Sequence, residues 1–530
     1  TLDWIGKDKV INHHKDVPYK VLERKYSFDE SGMHKEDIHS NNMIIHGDNL
    51  EALKSFLPQY EGKIKCIYID PPYNTGNEGW IYNDNVNDPK IKKWLGEVVG
   101  KEGEDLSRHD KWLCMMYPRL VLLQKLLAED GAIFISIDDN EHANLLLVCN
   151  EIFGSNNFIQ DIIWNKRVSP ARDAKFFSTD HEYILVYSKN KESLTTHFLP
   201  RTEKNNSYYK NPDNDPRGPW NSAAYTCNKS RDERPNLYYP ITNPYTGEKI
   251  FPKESAVWAY SEETYQQHVR DNLLYWGVNG EAKQPRKKAF LSEVGDVVPR
   301  SVWSHSDVGS TQKATMENNT IFNMRAFSYP KVSTLVERII QIASDKDSIV
   351  LDSFAGSGTT AHAVLNMNKS DGGNRKFILV EMGDYADTIT AERVKRVING
   401  YGEGKNAVEG TGGNFSYYEL GNPLFMQDGT INDEVDITEV RKYVWYTETN
   451  GIEYKEDIQE KYFLGSYNDT AYYFYYEKDR VTILDYEFLT SVHKKEQTYV
   501  MYADSCALSD SDLQKWNITF KKIPRDIEHI

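Results

Sequence analysis

The residues with the clearest capacity for chemistry are Asp70-Pro71-Pro72-Tyr73. They offer a carboxylate, a proline carbonyl with no N–H beside it, and an aromatic ring. Two acceptors and a stacking face suit a planar group bearing an exocyclic NH2, such as adenine or cytosine. The plain alternative is a Pro-Pro turn with an incidental Asp and Tyr. A second group lies far downstream, Asp352-Ser353-Phe354-Ala355-Gly356-Ser357-Gly358-Thr359. Glycines between a strand and a helix let the backbone approach a ligand and aim free N–H groups at it. Glu381, closing the next apolar run, suits ribose hydroxyls. No Gly-Lys-[Ser/Thr] follows, so this is not a Walker loop, and the third glycine of the NAD fingerprint is missing.

Both groups need strands beneath them. Ile64 to Ile69 carries β-branched and aromatic residues and predicts a buried strand, stopped by two prolines. Ser348 to Asp352 predicts a strand, Ala361 to Asn368 a helix, and Phe377 to Val380 a further strand. Open α/β sheets bind ligands at the carboxyl ends of their strands, where both groups would then lie. Asn42 to Ile45 predicts a short strand leading to Asp48 and a helix from Leu50 to Leu57. Trp112 to Asp130 predicts an amphipathic helix stopped at Gly131. Ala132 to Ile137 predicts a buried strand, and Asp138-Asp139 a cap for the helix that follows. Asp161 to Trp164 and His181 to Tyr187 predict the last strands of this half. Ser333 to Ala343 and Ile389 to Asn399 predict helices, the second with Arg393, Lys395 and Arg396 on its surface. The long polar stretch 74–110 predicts a loop over the site.

Asp-Pro-Pro-Tyr with a distant Phe-x-Gly-x-Gly resembles the amino-methylating DNA methyltransferases that use S-adenosylmethionine. The catalytic motif precedes the cofactor motif, as in the β-class. Leu2-Asp3-Trp4-Ile5-Gly6-Lys7, His46-Gly47-Asp48-Asn49-Leu50 and the run Trp112 to Leu120 resemble modification subunits of type III restriction-modification systems. The resemblance implies an α/β, Rossmann-like methyltransferase fold, circularly permuted with a mixed sheet, carrying an inserted target recognition domain and a small C-terminal α/β domain. It implies methyl transfer from S-adenosylmethionine to the N6 amino group of a flipped-out adenine, with no metal. Cytosine N4 methylation, a non-catalytic DNA-recognition subunit, and a protein or RNA amide methyltransferase remain as alternatives. Asp70, Pro71, Pro72 and Tyr73 take the catalytic positions. Asp48, Asn49, Lys331, Asp352, Phe354, Ala355, Gly356, Gly358, Thr359 and Glu381 take the cofactor positions. Asp48 either accepts from the cofactor's adenine or caps the following helix. Lys331 stands in a Pro-Lys pair where the family commonly has Lys-Pro. A homodimer and a separate restriction subunit, helicase and nuclease, are implied as partners.

The chain has 530 residues, enough for about three domains. The pattern divides into an arm (1–40), a catalytic half (41–189), an insert for target recognition (190–320), a cofactor half (321–420) and a C-terminal assembly domain (421–530). The net charge of −16 argues against a globally basic nucleic-acid binder. The charge is uneven, however. Residues 161–320 hold 22 Lys and Arg against 20 Asp and Glu, whereas residues 421–530 hold 12 against 21. Double-stranded DNA would therefore meet a local groove, with Lys166, Arg167, Arg172, Arg286, Lys287 and Lys288 as candidate contacts. Aromatic residues interleave with cations through the insert, as stacking on bases requires. The five cysteines form no close pair and no zinc spacing, which fits reduced core residues in a cytoplasmic protein. No run of about 18 apolar residues spans a membrane, and no secretory signal opens the chain.

Overall fold

A computed structural model describes residues 2–75, 108–172, 174–449, 452, 454–455 and 460–527. The expected loop over the site falls mainly on 76–107, outside the described residues. The chain divides into two compact units, one formed by Thr1–His197 with Arg300–Ile530 and the other by Phe198–Pro299.

The first unit is built on an eleven-stranded sheet. Its strands in chain order are β1 (Lys20–Asp29), β2 (Gly32–His34), β3 (Met43–His46), β4 (Ile64–Ile69), β5 (Leu127–Ile137), β6 (Phe158–Asn165), β7 (His181–Ser188), β8 (Val302–Trp303), β9 (Ile349–Asp352), β10 (Lys376–Glu381) and β11 (Asn414–Pro423). They lie in the order β8-β6-β7-β5-β4-β9-β10-β3-β11-β1-β2. The middle, from β5 to β11, is parallel; β7 and β1 each run antiparallel to both neighbours, and the edge strand β8 pairs in parallel with β6. Residues 20–34, which the sequence presents as part of a polar arm, are the outermost strands of this sheet.

β4 is buried along its whole length, as a central parallel strand covered on both faces must be. Its register against β9 sets Cys66 beside Val350 and Ile67 beside Leu351. From β4 the chain moves outward to β5 on one side; from β9 it moves to β10 on the other. The gap between β4 and β9 is therefore a topological switch point, where such sheets bind ligands. The helices that cover the sheet are α1 (Asn49–Tyr60), α2 (Arg108–Leu126), α3 (Ser333–Ala343), α4 (Thr359–Asp371) and α5 (Glu392–Asn399).

Two sequence readings need correction. Helix α2 ends at Leu126, and β5 already begins at Leu127. Gly131 lies inside that strand, where a Cβ would stand 2.9 Å from the carbonyl oxygens of both Ile64 and Lys65. It is a close-approach glycine rather than a helix stop. Arg393 on α5 is fully buried, not on the surface.

Within the second unit, strands at Trp220–Ala224, Leu274–Tyr275 and Arg286–Phe290 make a small antiparallel sheet. Its core is aromatic: Tyr225, Tyr239, Trp258, Tyr265 and Trp276 pack together with Ile241. The C-terminal part of the first unit carries a four-stranded sheet of Phe463–Tyr467, Thr470–Phe474, Thr498–Ala503 and Ile518–Lys522. All five cysteines are free. No helix among the described residues is long and apolar enough to cross a membrane.

Candidate active site

Asp70 immediately follows β4. Prolines 71 and 72 cannot continue the ladder, and the chain turns there. The indole N–H of Trp112 on α2 donates to the Pro72 carbonyl at 2.7 Å and fixes the turn. Asn74, at a φ of 57°, donates to the carbonyl of Arg108 at 3.1 Å and to the buried Glu141.

Around Asp70 lies a buried ionic cluster. Lys331 Nζ sits 2.9 Å from Asp70 Oδ1, and each side chain is 11% exposed. The Tyr73 hydroxyl donates to the same Oδ1 at 2.9 Å and lies 3.1 Å from Glu182 Oε2. Lys331 also donates to the Tyr73 oxygen at 2.8 Å, lies 3.4 Å from Glu182, and stands 4.8 Å from the Tyr73 ring centroid. Lys166 closes the group with a 2.8 Å contact to Glu182 Oε1. Both donors to Asp70 fall on Oδ1; among the described residues, none reaches Oδ2.

The protonation states follow from this geometry. Burial raises the pKa of Asp70, with Glu182 adding to the rise and Lys331 opposing it. Burial also raises Glu182, but Lys331 and Lys166 outweigh it and hold this carboxyl below the ordinary range. Burial disfavours the Lys331 ammonium, yet Asp70 and Glu182 beside it keep its pKa above the usual lysine value.

The second group folds at the end of β9. Asp352 turns back into its own loop, accepting from the Phe354 amide at 3.0 Å and the Thr360 hydroxyl at 2.5 Å. Its burial pushes its pKa up to about 7. Gly356 and Gly358 have φ values of 52° and 83°. A Cβ on Gly358 would stand 2.9 Å from the Thr390 carbonyl oxygen, so only glycine fits there. Ala355 donates its amide to the Val380 carbonyl at 3.0 Å. The Thr390 hydroxyl caps the Gly356 carbonyl at 2.6 Å. Glu381 accepts from the amides of Gly356 and Gly383, each at 2.8 Å, and its burial raises its pKa. Thr359 opens α4 and donates to the Lys331 carbonyl at 3.3 Å.

A single cleft holds both groups: Asp70 and Lys331 line it together with Phe354, Ala355, Gly356 and Thr359. Asp48 and Asn49 lie at the head of α1. Asp48 Oδ1 caps that helix through the amides of Leu50 at 2.8 Å and Glu51 at 3.3 Å, and its Oδ2 lies 3.4 Å from Arg119. The capping reading of Asp48 is thus realised. Asn49 donates to the Ser353 carbonyl at 3.0 Å, which ties α1 to the glycine loop.

The basic candidates diverge. Arg167 and Arg172 are exposed. Arg286 is exposed and donates to the Ser222 hydroxyl at 2.8 Å, and Lys287 stands 5.0 Å from the Tyr260 ring centroid. Lys166 faces Glu182. Lys288 is 2% exposed and held by Asp213 at 2.5 Å and Asp215 at 2.8 Å, so its ammonium is not presented to a phosphate.

Sequence reasoning missed three contributors. Glu182 is a lone acid in the apolar strand His-Glu-Tyr-Ile-Leu-Val, and that isolation was its signal. Trp112 left none. Arg393 lies four residues before the buried Val397, on the inward face of α5. Its guanidinium donates to the hydroxyls of Ser357 and Thr359, each at 2.9 Å, and to Glu317 at 3.1 Å, which braces the glycine loop from behind.

The family model described as DNA methylase matches residues 64–392, a span that contains both groups. The chain belongs to this family. It is 34% identical over 424 residues to the Type III restriction-modification enzyme StyLTI Mod subunit of Salmonella typhimurium, covering 75% of this chain and 62% of that protein. It is 32% identical to the EcoPI Mod subunit of Escherichia phage P1 over 72% of this chain and 63% of that protein. It is 33% identical to the type II methyltransferase M.KpnI of Klebsiella pneumoniae over 64% of this chain and 81% of that enzyme. The chain thus spans under two thirds of the length of the two Mod subunits.

Proposed function

We propose that this DNA methylase transfers a methyl group from S-adenosylmethionine to the N6 amino group of an adenine extruded from double-stranded DNA. We further propose that it acts as the modification subunit of a type III restriction-modification system, as a homodimer and with a separate restriction subunit. The single observation that carries the reading is that the Asp70 carboxylate and the glycine loop line one cleft at the switch point of the sheet.

The cleft suits the cofactor. Gly356 and Gly358 bring backbone close without side chains, Glu381 supplies an acceptor for ribose hydroxyls, and Asp48 and Asn49 flank the adenosine end. When bound, S-adenosylmethionine supplies a sulfonium methyl, a strong electrophile. The protein's task is to hold a weak nucleophile in line with it. Asp70 Oδ2, facing no donor among the described residues, accepts one amino hydrogen. The Pro71 carbonyl accepts the other. Lys331 and Tyr73 hold Oδ1, so the carboxylate is oriented before the base arrives. Tyr73 stacks on the base. Asp70 would take up the amino proton that methylation releases. Positioning and a fixed electrostatic field account for the rate gain. Extrusion costs a few kcal/mol, which stacking in the pocket offsets.

The test is tritium transfer from labelled S-adenosylmethionine to DNA, followed by nucleoside mass analysis. Wild type should yield N6-methyladenine, and Asp70→Ala should lose at least about a hundredfold in rate while still binding cofactor. N4-methylcytosine in the product would replace the target base in this reading. Near-normal turnover by Asp70→Ala would end it.

A further inference from the structure

The hairpin between β6 and β7 carries a loop, 166–180, that the chemistry above leaves unexplained. Its base is fixed. Asn165 pairs with His181, and the amides of Lys166 and Arg167 reach the Asp180 carbonyl at 2.8 and 3.4 Å. Lys166 reaches into the Asp70 cluster through Glu182. Farther out, the Ala171 amide donates to Ser178 Oγ at 2.7 Å and braces one arm of the loop against the other. Within that brace the loop presents Phe176 and Phe177, 80% and 93% exposed. Single exposed apolar residues are ordinary, but two adjacent phenylalanines with almost no buried surface mark a contact with something else.

The charge of the loop selects the partner. It carries Lys166, Arg167, Arg172 and Lys175 against two aspartates, in a chain of net charge −16. Cations around two flat apolar rings match a polyanion with a stacked interior. The geometry adds a second argument. Phe177 is four residues from His181, a reach of roughly 14 Å at most, and Glu182 next along β7 touches Tyr73. The rings are therefore tethered within a few base-pair steps of the catalytic turn.

We propose that Phe176 and Phe177 enter the duplex at the place the target base vacates, while Arg167 and Arg172 hold the flanking phosphates. An extruded base leaves a gap that re-closes unless something flat and apolar fills it. This rests on the base-extruding reading above and names the element that keeps the base out.

The test uses the full chain and a duplex bearing its recognised sequence, found by single-molecule sequencing of DNA it has methylated. A second duplex carries an abasic site opposite the target, so that extrusion is already eased. Phe176→Ala/Phe177→Ala should methylate the intact duplex at least about tenfold more slowly, and the eased duplex at close to the wild-type rate. Cofactor affinity should hold, and Phe176→Trp/Phe177→Trp should restore the rate. 2-Aminopurine at the target position should brighten with wild type and not with the alanine variant. Equal rates on the intact duplex, or an equal loss on both duplexes, would overturn the proposal. So would a change in oligomeric mass, which would make the pair a contact between copies. If the sequencing finds no methylated position, the catalytic reading fails, and the proposal with it.

Discussion

Two buried clusters of lysine and carboxylate, one in each compact unit, are made of the same parts and finished differently. Around Asp215, each carboxylate oxygen has a partner. Lys288 sits between Asp213 and Asp215, Arg217 grips Asp215 through Nε at 2.9 Å and Nη2 at 2.8 Å, and the Trp220 indole donates to Asp213 at 2.8 Å. Around Asp70, two donors crowd one oxygen and leave the other without a described partner. A satisfied cluster stabilises a fold. One with an acceptor to spare, opening on a cleft, is arranged for a ligand. Burial of charge alone does not separate the two; the count of unmet hydrogen-bond positions does.

The largest effect that would sharpen this contrast is on stability. Lys288→Met leaves the partly exposed Asp213 without its cation and the buried Asp215 with Arg217 alone, and should cost about 3 kcal/mol. The loss should appear in denaturant unfolding of the full chain and as proteolytic nicking confined to 198–299. Adding Asp213→Asn should recover part of it, because the unpaired charge is then gone. The acid side of the same cluster has a definite sign. Arg217 first, and Lys288 after it, hold Asp215 far below its ordinary pKa of 3.8. Its contribution is complete above that value and is lost only as the pH falls well below it. An unchanged unfolding midpoint in Lys288→Met would mean that the cluster is not what holds this unit.

The Asp70 cluster should answer differently. Lys331→Met removes the cation that opposes the rise in the Asp70 pKa, so that pKa climbs further. The acceptor is then ionised only at higher pH, and the acid limb of kcat/KM should move up by at least about one pH unit. Activity lost near neutrality should return in alkali. A profile scaled down without any shift would reduce Lys331 to a packing role.

This contrast also marks how far the sequence could be read. The strand under Asp70 was legible because Ile64 to Ile69 is apolar throughout and two prolines end it. The glycine loop was legible because glycine adopts the left-handed φ at 356 and 358 without strain and stands between a strand and a helix. Both signals are local. What failed is non-local. The run Arg286-Lys287-Lys288 reads as a basic patch, because the carboxylate that neutralises Lys288 lies 73 residues earlier in the chain. Arg393 reads as a surface cation for the same reason, its partner Glu317 being 76 residues away. Glu182 joins Tyr73 from 109 residues off, through a strand order that periodicity does not give. A charge in a sequence has a sign and a position, but its role is set by partners that only the fold supplies.

The smallest effect separates two duties of one residue. Asp48 caps α1 through Oδ1, and its Oδ2 faces Arg119. Asp48→Ala should cost about 1 kcal/mol through loss of the cap. Asparagine caps a helix as well as aspartate, so Asp48→Asn should keep the cap and lose only what the carboxylate gives the buried Arg119. If the carboxylate also receives the cofactor's adenine, the same variant should weaken S-adenosylmethionine binding roughly fivefold, the equivalent of about 1 kcal/mol. Calorimetric titration beside thermal unfolding reads both quantities from one preparation. Full affinity in Asp48→Asn would leave Asp48 a cap alone. Recognition beside Asp48 would then rest on shape and backbone, in contrast to the Asp70 end of the cleft, where the charged side chains gather.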